Sequence, residues 1–167
     1  DLRELIKNEA VADTSIINDY FFYNDYHPVI LGLILEKATG KNPAQLLEEW
    51  VWKPTGMEFP ASWSIDSEES KVVKMESGLN ARSIDFARFG LLVLSDGKRD
   101  STEIIPSGWL EKTTSNPNDK RQWKTTPERK EMGVYYNSLW WGQEQEGQPD
   151  YFMASGHLGQ YIVIFPE

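Results

Sequence analysis

The apolar residues of this chain follow two rhythms. Between residues 28 and 110 they recur three and four apart, the period of helices with a buried stripe; beyond residue 134 they crowd into short runs bounded by glycine, as strands do. Val29, Ile30, Leu33, Ile34 and Ala38 predict a deeply packed helix over about 28–39, with Pro28 in its first turn and Gly40 as its stop. A second helix begins at Asn42-Pro43-Ala44-Gln45, where the N-cap asparagine is followed three residues later by a capping-box glutamine. It runs through Leu46, Leu47 and Trp50 and is expected to stop before Pro54, ahead of a turn at Pro54-Thr55-Gly56-Met57. A third, over about 81–94, has Ile84, Ala87, Phe89, Leu91 and Leu94 as expected core contacts and ends in Ser95-Asp96-Gly97-Lys98. Ile104-Ile105-Pro106 starts a short fourth helix carrying Trp109 and Leu110. Strands are predicted over 134–141, 151–154 and 160–165, with Gly156 and Gly159 between the last two.

Between these elements, 2–17 reads as a mixed, charged stretch with a short helix and then a polar loop, and 62–76 as surface loop or short strand. The chain therefore predicts an α+β fold in one domain over 1–167: a helical part at about 20–112, an exposed excursion at about 113–131, and strands at about 132–167. At 167 residues with 40% hydrophobic and 13% aromatic content, there is ample material for a core. Seventeen basic against 26 acidic side chains leave a net charge of −9, which argues against a nucleic-acid partner. The absence of cysteine removes disulfides, thiol nucleophiles and thiolate metal sites together. The apolar run 29–35 is too short to span a bilayer, and the charged opening Asp1-Leu2-Arg3-Glu4 lacks the character of a signal peptide. The acidic residues show no ligand spacing, so neither a metal site nor a cofactor is expected.

Three features could carry chemistry. Tyr23-Asn24-Asp25 precedes the first predicted helix; a tyrosine there could act as a general base if cations lower its pKa, or Tyr23 could join an aromatic core while Asp25 caps the helix. Gly156-His157-Leu158-Gly159-Gln160 enters an apolar strand, either as a place where a ligand approaches the backbone or as a hairpin turn with an exposed histidine. Ser95 and Lys98 have the Ser-x-x-Lys spacing of certain serine hydrolases, but Asp96-Gly97 between them reads as a surface turn.

Taken in order, these segments resemble the serine β-lactamase-like hydrolases, a superfamily of class C β-lactamases, penicillin-binding D,D-peptidases, D-aminopeptidases, esterases and nylon-oligomer hydrolases. Tyr23-Asn24-Asp25 with Leu31-Gly32-Leu33-Ile34-Leu35-Glu36-Lys37-Ala38-Thr39-Gly40 is similar to the region of the second catalytic motif. Trp52-Lys53-Pro54-Thr55-Gly56-Met57, Glu76-Ser77-Gly78-Leu79-Asn80 and Asp85-Phe86-Ala87-Arg88-Phe89-Gly90 follow in family order. Ile104-Ile105-Pro106 with Trp109, Trp140-Trp141 and Gly156-His157-Leu158-Gly159-Gln160 complete the series, from about residue 20 to the end.

The resemblance implies a transpeptidase-like fold with helices packed on an antiparallel sheet, and an acyl-enzyme formed on a serine. It makes Tyr23 the general base, Asp25 the polar partner of the second motif, His157 the cation of the third motif, Gly159 the opening along which substrate lies, and Gln160 an oxyanion donor. Two residues depart from the pattern: Asp25 stands where the family has asparagine, and His157 where it has lysine, which resembles the aminopeptidase and esterase branches more than the β-lactamases. The family's Ser-x-x-Lys lies well upstream of the tyrosine, and further structure follows its last strand, so the fold is expected to be incomplete at both ends and this chain inactive alone. The implied partners are a small-molecule or peptide acyl substrate, a missing N-terminal segment or companion chain, and an oligomer formed through exposed sheet surface. The implied location is extracytoplasmic, in periplasm or cell envelope. A non-catalytic binding or sensor module built on the same fold is the alternative, motivated by Asp25. A two-carboxylate glycosidase rests only on the acidic composition.

Overall fold

The computed structural model describes residues 2–4, 21–124, 127–144, 146–147 and 150–166. Two compact units divide the chain, one built on Tyr23–Asp85 and the other on Phe86–Glu167. Their elements are helices followed by antiparallel strands, the α+β arrangement expected. The mixed stretch 2–17 lies almost wholly outside the described residues.

The first unit opens on α1 (Tyr26–Thr39), which buries Val29 and Gly32 and stops at Gly40. Its packing is one-sided: Leu31, Ile34 and Leu35, part of an apolar surface that runs almost round the helix, are exposed. Helix α2 (Pro43–Leu47) starts with the capping box read from the sequence, Asn42 and Gln45 each accepting from the other's backbone N–H at 3.0 Å. The helix does not stop before Pro54. It widens into a π-helical turn (Glu48–Trp52) and continues as α3 (Lys53–Thr55). The wider turn shifts hydrogen bonding from four to five residues back, as between Lys53 N–H and Glu48 O, and so spares the bond a proline lacks. Two short strands, β1 (Ser62–Trp63) and β2 (Leu79–Asn80), pair antiparallel. The Trp63 indole N–H sits 2.9 Å from both Lys74 O and Ser77 O, tying the loop between them. Val29, Leu46, Val72 and Val73 are the buried apolar residues here.

Helix α4 (Ser83–Leu94) corrects the expected core list. Ile84, Ala87, Leu91 and Leu94 are exposed, whereas Asp85, Leu92 and Val93 are buried and Phe89 packs on the core. Both sides of this helix are apolar, so periodicity alone could not choose between them. The buried side holds Asp85, fully inaccessible, whose carboxylate accepts from Glu58 N–H at 2.7 Å and Phe59 N–H at 3.0 Å. A helix-terminating turn follows at 95–97, with Ser95 exposed outside any helix; the Ser-x-x-Lys spacing there is accidental.

The second unit contains the small hairpin β3 (Lys98–Arg99) and β4 (Thr102–Glu103), then α5 (Trp109–Thr114), a 3-10 turn (Lys120–Trp123) and α6 (Pro127–Glu131). Its sheet has four antiparallel strands in chain order: β5 (Val134–Asn137), β6 (Trp140–Gln143), β7 (Tyr151–Gly156) and β8 (Gln160–Ile164). The single strand expected over 134–141 is thus a hairpin, turned by Ser138 and Leu139, which both take positive φ (46° and 77°) without glycine. One sheet face meets the helices: Phe152, Ile162, Ile164 and Trp140 surround Val93, Leu110, Phe89 and Ile105. The ring of Tyr135 lies on Gly142, where a Cβ would come within 2.0 Å of it, and its hydroxyl donates to Thr114 O at 2.7 Å. Within 113–131, Thr113, Thr114 and Gln122 are buried.

Candidate active site

Tyr23 and Asp25 belong to the first unit and His157, Gly159 and Gln160 to the second. Tyr23 lies outside any helix or strand just ahead of α1 and is 50% exposed, so it is not a core aromatic. Partial burial raises its phenol pKa above the ordinary value, and the charge of Asp25 adds to the rise. Both effects disfavour tyrosinate, so the local surroundings keep Tyr23 protonated at neutral pH.

The cap of α1 is made by Asn24 rather than Asp25. Its side-chain oxygen accepts from Tyr26 N–H at 2.8 Å, and its carbonyl accepts from His27 N–H at 3.2 Å. Asp25 occupies the N-cap position with no side-chain cap bond.

The second group of predicted residues forms one hairpin end. His157, Leu158 and Gly159 make the turn between β7 and β8, all exposed, and Gln160 opens β8 opposite Gly156. Leu158 and Gly159 both have positive φ, 61° and 80°. Glycine adopts that region freely, while a leucine there is strained, and Leu158 is also 88% exposed. His157 therefore stands on a turn and not within a strand.

The strand register adds a candidate that local reading could not supply. β8 pairs with β7 from Phe152 to Gly156, but β6 pairs only with Tyr151–Met153. Ala154, Ser155 and Gly156 are therefore left without a strand partner on the β6 side among the described residues. A free stretch of strand edge offers backbone N–H and C=O groups to an extended acyl chain. Only pairing register, a long-range property, reveals it. Among the described residues no group of three histidine, aspartate or glutamate side chains is placed to hold a metal ion.

A family model described as Beta-lactamase matches residues 1–167. Among solved structures, a Bacillus anthracis protein assigned as a 6-aminohexanoate-dimer hydrolase is similar, with 28% identity and a TM-score of 0.74. The match covers 89% of this chain and 36% of that one, so this chain spans about a third of that protein's length. No curated protein matches the sequence.

Proposed function

The chain belongs to the Beta-lactamase family, and from that premise we propose that it is part of a serine hydrolase that cleaves an ester, amide or peptide bond through an acyl-enzyme, with the nucleophile supplied by a segment outside this sequence. The observation that carries the reading is Tyr23, half exposed at the head of α1, where the family resemblance puts the general base.

In this reading a serine Oγ attacks the carbonyl carbon while its proton passes toward Tyr23. The C–O or C–N bond then breaks, the leaving group takes the proton, and water hydrolyses the acyl-serine. Tyr23 needs help for its step. Its raised pKa opposes deprotonation, and its close neighbour Asp25 is an anion, so a cation must come with the nucleophile, as the lysine of a Ser-x-x-Lys segment would. Within the second unit the resemblance gives the β7–β8 end three roles: His157 as a titratable group on the turn, Gly159 without a side chain to obstruct substrate, and the backbone N–H of Gln160 as an oxyanion donor. The substrate named for the similar Bacillus anthracis protein makes the 6-aminohexanoate dimer, a linear amide, the first compound to try.

The test is covalent labelling with a fluorophosphonate probe. This chain alone should label at no serine, and adding a segment with the family's Ser-x-x-Lys should restore labelling. Tyr23→Phe in the complemented protein should slow it by about 10²–10⁴-fold, the usual worth of a general base. Labelling of Ser95 or any other serine of this chain alone would sink the proposal. Persistent failure of the complemented protein to label, with ligand binding retained, would assign the fold to a non-catalytic binding module.

A further inference from the structure

Leu158 breaks two local rules at once. It takes positive φ (61°) just before Gly159 (80°), and a turn with two such residues in a row favours asparagine, aspartate or glycine at the first of them. Its side chain is also 88% exposed, so little burial within this chain offsets the backbone cost. The other leucine with positive φ, Leu139, has more than half of its surface covered, at 46% exposed. An apolar residue that is both strained and uncovered points to a contact made with something outside the chain.

The surroundings of Leu158 give that contact a shape. Gly159 lies open beside it: apart from chain neighbours, a Cβ there would meet only Tyr161 Cε2, at 3.9 Å. Tyr161 is itself 59% exposed. A leucine side chain, bare backbone and an aromatic ring edge therefore lie together at one hairpin end. From Gly156 to Phe165 the sequence has no aspartate, glutamate, lysine or arginine. The same turn ends the stretch Ala154–Gly156, whose backbone groups face no strand on the β6 side among the described residues. Free backbone groups next to an apolar ledge suit a ligand that is polar at one end and aliphatic along the rest.

We propose that Leu158 and Tyr161, with Gly159 as the floor between them, form an apolar subsite for the aliphatic chain of an acyl substrate, so that long linear acyl groups are preferred over short ones. The proposal rests on reading the β7–β8 end as part of a hydrolase site. It gives Leu158 a part in substrate choice and none in proton transfer.

Acetamide and hexanamide, neutral amides that differ only in chain length, test it on the chain itself. Each is titrated while the backbone amide NMR signals of residues 154–161 are followed. Hexanamide should bind roughly tenfold more tightly, as expected for added methylenes that leave water only in part. Leu158→Asn should bring the two amides within about twofold of each other. Because asparagine tolerates positive φ, the same substitution should raise the folding equilibrium constant about threefold in urea unfolding. A leucine that served the turn itself would give a weaker fold on replacement. Equal binding of the two amides, an unchanged preference in Leu158→Asn, or a less stable Leu158→Asn chain would each overturn the proposal. Fluorophosphonate labelling of the complemented protein separates the two ideas. Normal labelling without a chain-length preference keeps the hydrolase and removes the subsite. A chain-length preference without labelling keeps the subsite and removes the hydrolase reading. Complementation lost in Leu158→Asn would mean that the added segment covers the leucine, which also overturns the proposal.

Discussion

Asp66 collects four donors: the backbone N–H groups of Leu2, Ser67 and Val72, and the hydroxyl of Ser70. Desolvation alone would raise its pKa, but the bond from Ser70 and the three backbone N–H bonds outweigh that and hold it at about 2. A carboxyl depressed in the folded state stabilises fully above the pKa it has when unfolded and ceases to do so as pH falls through its folded value. Stability measured by urea unfolding should therefore fall between about pH 4 and pH 2, and Asp66→Asn should lower it at pH 7 while flattening that fall. Gly142 is the steric counterpart. Any Cβ there strikes the Tyr135 ring at 2.0 Å, so Gly142→Ala should displace the ring, break the bond to Thr114 O and cost about 3 kcal/mol in chemical denaturation. How readable such residues are depends on the reach of their bonds. The Asn42–Gln45 box spans three positions and could be read directly, whereas Asp66 finds Leu2 across 64 positions and Tyr135 finds Thr114 across 21.

Elements show the same division. Helix α1 stops at Gly40 and α2 starts at its Asn42–Gln45 box because those signals are local, whereas Pro54 does not end the helix that α2 begins. What periodicity left open is the direction each helix faces: α4 is apolar on both sides and buries the one that carries Asp85. The sheet adds a device with no local signal. The buried amide of Gln122 donates to Tyr136 O and accepts from Tyr136 N–H, both at 2.7 Å, in place of a neighbouring strand on the outer edge of β5. Gln122→Ala should remove both of these bonds to the Tyr136 backbone, lower stability by about 1–3 kcal/mol and speed hydrogen exchange at the Tyr136 amide. Gln122→Glu should not restore the clamp, since a carboxylate has no N–H to give the carbonyl. In the candidate site, Tyr23, Asp25 and the turn 157–160 were visible in motif order. The free edge of β7 at Ala154–Gly156 was not, because register belongs to pairs of strands.

At the scale of the whole molecule, one sheet edge is closed by Gln122 and the other, β8, has no strand beyond it among the described residues. From Gln160 to Phe165 that edge bears no charged residue, and Tyr161, Val163 and Phe165 are exposed, although the chain as a whole carries −9. Uncharged, exposed edge strands pair with other chains. Sedimentation velocity of this chain should show association that grows with concentration, and Val163→Lys should suppress it. A monodisperse monomer throughout the range would refute this.

Asp85 gives the first unit a timetable. Its carboxylate holds the N–H groups of Glu58 and Phe59, yet it is made 27 residues after Glu58. A ribosome delivering the chain from its N-terminus presents those two donors before their acceptor emerges. The turn after α3 therefore has to wait in water, and it locks only when the first turn of α4 emerges, which makes the closing stitch of the unit also the last one synthesised.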